Sequence, residues 1–312
     1  MDILESVKVT HYFSQLFGLT TYNLKVVEGK KIYIKSSCLK YYSRMLIIIN
    51  FLLLTYLNVF LINKGPYKSR PFFFKLSVIL EEISITANLC LSPIVIFTYR
   101  KNFYFNLNRL GQIQLQLLSI TKTHINVFKI KIIHNTLLLI YNLLVLGVVL
   151  VHLLVYANES GFVNINKIFH IMGEFQVMSN SNLVAMQFFT HVNITRIFYS
   201  EINAFLKSRK NGKFKSDILQ QLKIIEDFLK DFLDDVFLIF SFSITLLVFQ
   251  TFISIVNALF NLLTGEIDGL ASGSVFWITY FIFFLVTTTT VCTMAFQEVI
   301  ILTKIFLLIR IS

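Results

Sequence analysis

Six stretches of the chain read as membrane-crossing, and no other feature limits its fold so strongly. A hydrocarbon core of about 30 Å is crossed by roughly 20 mostly apolar residues in a helix. The stretches are 45–62, 76–99, 132–156, 168–189, 236–263 and 275–296. Stretch 45–62 is the clearest. Stretch 168–189 is the weakest, because it carries His170, Glu174, Gln176 and several Asn and Ser. It is retained because the loop between its neighbours is otherwise too long to be bare. A polar span inserts when neighbouring helices cover its polar groups.

Composition closes off the water-soluble alternative. Hydrophobic residues make up 55% of the chain and charged residues 14%. Soluble domains run at about 45–50% and about 25%. A chain of 312 residues built this way has too few polar groups to clothe a core. The expected fold class is all-α: a polytopic membrane bundle of six transmembrane helices.

The net charge of +11 is an orientation signal before it is a binding signal. Of 28 Lys and Arg residues, 23 fall in segments 1–44, 100–131 and 190–235 and in the tail after 296. The remaining five are Lys64, Lys68, Arg70, Lys75 and Lys167, in the loops of the opposite side. Basic residues are retained in the cytoplasm, so both termini are expected there. Nucleic acid is not an implied partner; the lipid bilayer is. The organisation expected is a cytoplasmic N-terminal segment 1–44, a bundle 45–296 with cytoplasmic helical extensions at 190–235, and a cytoplasmic tail 297–312. The start of the chain has no apolar core of a cleavable signal. Asn158-Glu159-Ser160 is a glycosylation sequon in a predicted outer loop, whereas Asn193-Ile194-Thr195 lies inside and is expected to stay unused.

The last inner segment has a pattern of its own. Phe214, Ile218, Leu222, Ile225, Leu229, Phe232 and Val236 recur every three or four residues. That is one helical apolar stripe. No Gly or Pro separates it from the fifth stretch, so 213–263 is expected to be one long helix. The stripe either packs on protein or lies on the inner leaflet as an amphipathic surface.

Enzymatic chemistry finds no support. The sequence holds no HExxH, no nucleophile elbow, no phosphate-cradling glycine loop and no clustered His and Cys ligands. Cys38, Cys90 and Cys292 are too few and too scattered for a disulfide framework or metal site. No cofactor and no metal are expected. Asp231, Asp234 and Asp235 read as the solvated face of the long helix.

The layout, with short outer loops and cytoplasmic helical extensions, resembles the insect gustatory receptor family, relatives of the insect odorant receptors. The segment from Phe228 to Phe237, FLKDFLDDVF, leads into an apolar helix with Gln250, Phe252 and Phe260, as in that family's fifth helix. Trp277, then Val291-Cys292 and the run from Gln297 to Lys304, is similar to its sixth helix and the segment after it. The family's seventh helix carries Thr-Tyr, five apolar residues, then Gln-Phe. Here Thr279-Tyr280 is followed by five apolar residues and then Val286-Thr287, inside the sixth stretch. Residues 299–311 are expected to be too short to cross, so the chain is expected to lack that pore helix.

The resemblance implies a taste receptor subunit in the cell membrane. Such receptors assemble as homo- or hetero-tetramers and open as cation channels to a small-molecule tastant. An odorant receptor is the nearest alternative. A small secondary transporter is the alternative from another class, although it wants internal repeats and broken helices. The resemblance also places a ligand pocket in the outer half of the bundle. The residues that project there are Glu81, His152, Tyr156, Glu174, Trp277 and Tyr280. A polar group among aromatics orients a small ligand, and Glu174 is the farthest from a span end. The bland alternatives are interfacial Trp and Tyr and a snorkelling Glu. The hydroxyls of Thr287 to Thr290 are expected to bond back to their own helix.

Overall fold

A computed structural model of the chain describes residues 3–27, 30–64, 72–123, 125, 127–160, 165–208, 216–264 and 268–311. Two short helices, α1 (Ile3–Ser6) and α2 (Lys8–Leu16), precede a hairpin of β1 (Tyr22–Val27) and β2 (Lys30–Lys35). Six long helices follow: α3 (Ser37–Lys64), α4 (Phe72–Thr121), α5 (Val127–Ser160), α6 (Ile165–Ser208), α7 (Ser216–Thr264) and α8 (Asp268–Ile311). Each long helix contains one of the six apolar stretches and overshoots it. Among the described residues, four segments are long and apolar enough to cross a membrane: Lys75–Thr121, Ile130–Gly147, Ser216–Phe260 and Ile278–Lys304. The protein is a mostly helical bundle of membrane type. The hairpin corrects the all-α expectation.

The organising pair is α4 with α7. At 50 and 49 residues, each is about 75 Å long at 1.5 Å per residue. They run antiparallel, as their contacts show. Ser77 donates to Asn257 at 2.6 Å near one end. Asn106 donates to Asp235 at 2.6 Å, and Phe103 stacks on Phe232 with centroids 6.0 Å apart. Farther along, the Arg109 guanidinium lies 4.8 Å over the Phe228 ring.

The stripe on α7 is the apolar half of this seam. Leu222, Ile225, Leu229, Phe232 and Val236 are buried within the protein core. The long helix is as expected, and the surface-lying alternative is overturned, because protein covers the stripe. Asp231 and Asp234 are exposed on the other face. Asp235 is half-buried and accepts the Asn106 bond, which corrects its reading as solvated.

The polar fourth stretch becomes the centre of the bundle. Every residue of α6 from Met178 to Val192 is buried, and α4, α5, α7 and α8 all pack on this helix. Its Asn, Ser, Gln and His side chains are therefore solvated by protein rather than by lipid.

The N-terminal elements cap the end of the bundle nearest the base-rich segments. The hairpin pairs antiparallel in the register Tyr22↔Lys35 to Val27↔Lys30. The Tyr33 N–H donates to Asn108 of α4 at 2.8 Å, and Asn108 returns a bond to the Tyr33 carbonyl at 3.2 Å. Gly18 ends α2 at φ +72°, where a Cβ would meet Leu46 Cδ1 at 2.9 Å, so the turn into the hairpin requires glycine. The segment after 296 continues α8 without a break to Ile311. Cys38, Cys90 and Cys292 are free thiols.

If the seam holds the fold, Phe232→Ala should cost about 3–5 kcal/mol, as for other buried aromatics. Ile224→Ala, on the exposed side of the same helix, should cost under about 0.5 kcal/mol. Thermal unfolding of the purified chain in detergent reads both. Equal losses at the two sites would show that the stripe is not packed on α4.

Candidate functional site

Midway along the bundle, α6 presents Ser179, Asn180, Ser181 and Asn182 in a row, all buried. One helical turn brings every direction of the helix into use, so this row faces several neighbours at once. From α4 come Asn88 and Ser92; Asn88 donates to Ser181 at 3.4 Å, and Ser92 donates to Asn88 at 2.5 Å. From α8 comes Tyr280, whose hydroxyl donates to Asn182 Oδ1 at 2.5 Å. From α7 come Gln250 and Thr251, also buried.

Two narrow cavities flank this polar layer and share Ser181. One is lined by Leu19, Asn88, Ser92, Pro93, Asn180 and Val184. The other lies between α6, α7 and α8 against Met178, Gln250, Thr251, Tyr280, Phe281 and Phe284. Pro93 has no N–H, so the carbonyl one turn earlier in α4 loses its helical donor beside the first cavity.

The layer has spare hydrogen-bonding capacity. Asn180 Oδ1, Asn182 Nδ2 and Gln250 Oε1 are shut off from solvent without a partner among the described residues. An unpaired buried amide costs about 1–3 kcal/mol. Asn180 lines the first cavity and Gln250 the second, beside Tyr280, the partner of Asn182, so each cavity offers an acceptor that a small polar molecule would satisfy. Aromatic walls supply the apolar contact: Tyr280 meets Tyr141 edge-on at 6.2 Å and Phe281 at 5.1 Å.

The sequence-derived candidates divide. Tyr280 lies in the layer. Glu81 does not; its carboxylate accepts from Ser254 and from Asn257, the latter at 2.5 Å, and so clamps α4 to α7 about one turn from Gln250. The helices α5, α6 and α8 carry His152, Tyr156, Asn158, Glu174 and Trp277, whose side chains lie outside the described residues. Thr287 and Thr288 bond back to the carbonyls of Phe283 and Phe284, both at 2.7 Å, as expected. Asn88, Asn182 and Gln250 were missed. Mid-span amides in otherwise apolar stretches were the available signal.

A second polar cluster sits under the N-terminal cap. His134 of α5 is held between Thr10 of α2 and Thr190 of α6, which is 2.5 Å from its Nδ1. The Thr190 hydroxyl donates to the Met186 carbonyl at 2.7 Å, so it accepts from Nδ1–H, and Thr10 donates to Nε2. Gln187 donates to Ser14 at 2.6 Å. A cavity beside them is lined by Thr10, His11, Tyr33, Tyr104, Gln187 and His191. His11 donates to the Tyr22 carbonyl at 2.9 Å. Burial drives its pKa down to about 4, against the upward pull of the Tyr22 bond, and nearby His191 adds to the fall. Among the described residues no group of three His, Cys, Asp or Glu is placed to hold a metal ion.

The structure is thus a helical bundle of membrane type with a polar, partly unpaired layer at its centre. The family model described as 7tm Chemosensory receptor matches residues 7–309, and the chain belongs to that family. No curated protein gives a significant match. Family membership agrees with the resemblance to insect gustatory and odorant receptors and makes the protein a chemoreceptor of the membrane.

Two measurements follow from the clusters. Tyr280→Phe strands Asn182 Oδ1 and should cost about 1–3 kcal/mol. Thr288→Val loses only a bond to its own helix and should cost about 0.5 kcal/mol or less. Similar melting temperatures for the two variants would show that the Tyr280 bond carries nothing. The cap should also be sensitive to acid. An unfolded histidine binds a proton near pH 6.5, whereas folded His11 resists it down to about 4. Its contribution is therefore complete above about 6.5 and is lost as pH falls toward about 4. His11→Gln should flatten that part of the stability profile, measured by thermal unfolding across pH. An unchanged profile would sink the assignment.

Proposed function

We propose that the chain is a taste receptor subunit, gated by a small extracellular chemical that binds at the central polar layer. The carrying observation is the pair of unpaired amide atoms on Asn182, which Tyr280 bonds, and on Gln250, which shares a cavity with Tyr280. A ligand with one or two hydrogen-bonding groups on an apolar body satisfies these atoms and lies against Phe281 and Phe284. Glu174, His152, Tyr156, Trp277 and Glu81 are retained as proposed ligand contacts of the outer half, on the family resemblance alone, and Asn158 as a proposed glycosylation site. Because the cavities are narrow, binding selects a state in which α6, α7 and α8 stand apart. The ligand stabilises that state by its differential affinity.

The orientation proposed is six spans with both termini in the cytoplasm, supported by the distribution of bases. The cytoplasmic parts are then segment 1–44, the helical extensions at 190–235 and the tail 297–312. Receptors of the resembled family assemble as tetramers, of one chain or several, and conduct cations at the cell membrane; this chain is proposed as one subunit of such an assembly, and no pore is assigned to it. Odorant reception uses the same architecture and differs in ligand.

Epitope tags at the two termini should stain only after cells are permeabilised. Staining of either terminus on intact cells would reverse the topology. A chemical panel should raise cation current in cells expressing the chain together with other receptor subunits. Asn182→Ala and Gln250→Ala should raise the half-effective concentration about tenfold or more, equivalent to about 1.4 kcal/mol, with surface expression retained. Responses unchanged by both substitutions would move the ligand site elsewhere.

A further inference from the structure

We propose that Lys35, Lys40, Arg44 and Arg100 form a binding site for the headgroup of an anionic phospholipid, which ties the hairpin and the starts of the bundle helices to the membrane surface. The proposal rests on the reading above that this end of the bundle faces the cytoplasmic leaflet.

The four cations come from three separate elements. Lys35 closes β2, Lys40 and Arg44 occupy successive turns of one face of α3, and Arg100 lies midway along α4. Retention of a loop in the cytoplasm needs a number of bases; it does not need them to converge. Here they do converge. Lys35 pairs in the hairpin with Tyr22, whose ring stacks on Tyr104 of α4 at 4.0 Å, one turn from Arg100, and Lys40 and Arg44 follow one turn apart at the start of α3. In keeping with this, Arg44 first and then Lys35 lower the pKa of Lys40. Like charges gathered this way repel, and an anion among them removes the cost.

No anion among the described residues does so. Among the described residues none of the four has a carboxylate partner. Other bases are matched: Lys8 and Lys31 share Glu5, and Lys223 pairs with Glu226 and Asp227. Arg100 is also unfinished. Its guanidinium lies 4.8 Å over the Phe97 ring, and its Nη1 is closed to solvent without a hydrogen-bond partner among the described residues.

Depth supplies the identity of the anion. The apolar stretch of α3 begins at Met45, immediately after Arg44. Tyr41, Tyr42 and Tyr99 are exposed at 67%, 40% and 42% beside the cations. Exposed tyrosines mark the level of lipid headgroups, and clustered bases at that level attract anionic lipid. The ligand is therefore a lipid phosphate at the interface, not a soluble anion. Tyr42 donates to the Leu16 carbonyl at 2.6 Å, so a headgroup held here also bears on the loop between α2 and the hairpin.

The test uses the full chain in phosphatidylcholine nanodiscs, with and without phosphatidylinositol 4,5-bisphosphate. The lipid should raise the melting temperature saturably. The variant K35Q/K40Q/R44Q should need roughly tenfold to hundredfold more lipid for the same shift. A charge-matched control, K122Q/K131Q/K207Q, should behave as the native chain. Inorganic phosphate should give no shift. A shift kept in the first variant, lost equally in the control, or reproduced by inorganic phosphate would overturn the site. Both faces of a nanodisc carry the same lipid, so this outcome does not depend on orientation, which the terminal tags read separately.

Discussion

The antiparallel seam between α4 and α7 is the contact on which the other placements depend. It has an apolar half and a polar half. Toward the base-rich end, the stripe from Leu222 to Val236 fills the groove beside Phe103 and Leu107. Toward the other end, Glu81 holds Ser254 and Asn257. The first half would form in water, because burial of apolar surface drives it. The second half suits a medium without water, where lipid offers helices no hydrophobic reason to associate and polar groups supply the cohesion. One pair of helices thus has two kinds of interface, each matched to a different surrounding.

A seam of that length leaves α6 inside. Surrounded by four helices, it tolerates a polar surface that lipid would reject, and that tolerance creates the central layer. The same enclosure leaves Asn180, Asn182 and Gln250 with unpaired atoms. Full satisfaction would fix a single packing. Partial satisfaction leaves a reason for the helices to rearrange around something that completes the bonds. If the layer is the ligand site proposed above, stability is held in the seam while the site is kept incomplete.

The N-terminal cap connects these parts to the membrane surface. It reaches α4 through Asn108, α5 through His134 and α6 through Gln187. Its hairpin ends in the basic cluster. A lipid headgroup bound there and a ligand bound in the layer would both bear on α4. Each would then alter the other's affinity by the same factor.

Periodicity and charge made much of this legible in advance. The positions of the six long helices, the length of α7 and the 3–4 spacing of its stripe follow from local sequence, because helix formation and apolar burial are set by neighbours within a few residues. The polar character of α6 was equally visible. Its central place was not, since a weak span and an enclosed span read alike. The hairpin escaped because the apolar alternation of Tyr22 to Lys35 is interrupted by lysines, and the residues it stands against, among them His11, Tyr104 and Asn108, belong to other elements. Glu81 shows the same limit. Alone it reads as a carboxylate near a helix end, and its partners lie 173 and 176 residues away. Sequence by itself determined that this chain is a bundle of long apolar helices with one charged end. Tertiary structure decided which polar groups are satisfied and which are left open, because a buried hydrogen bond depends on partners that no local pattern encodes.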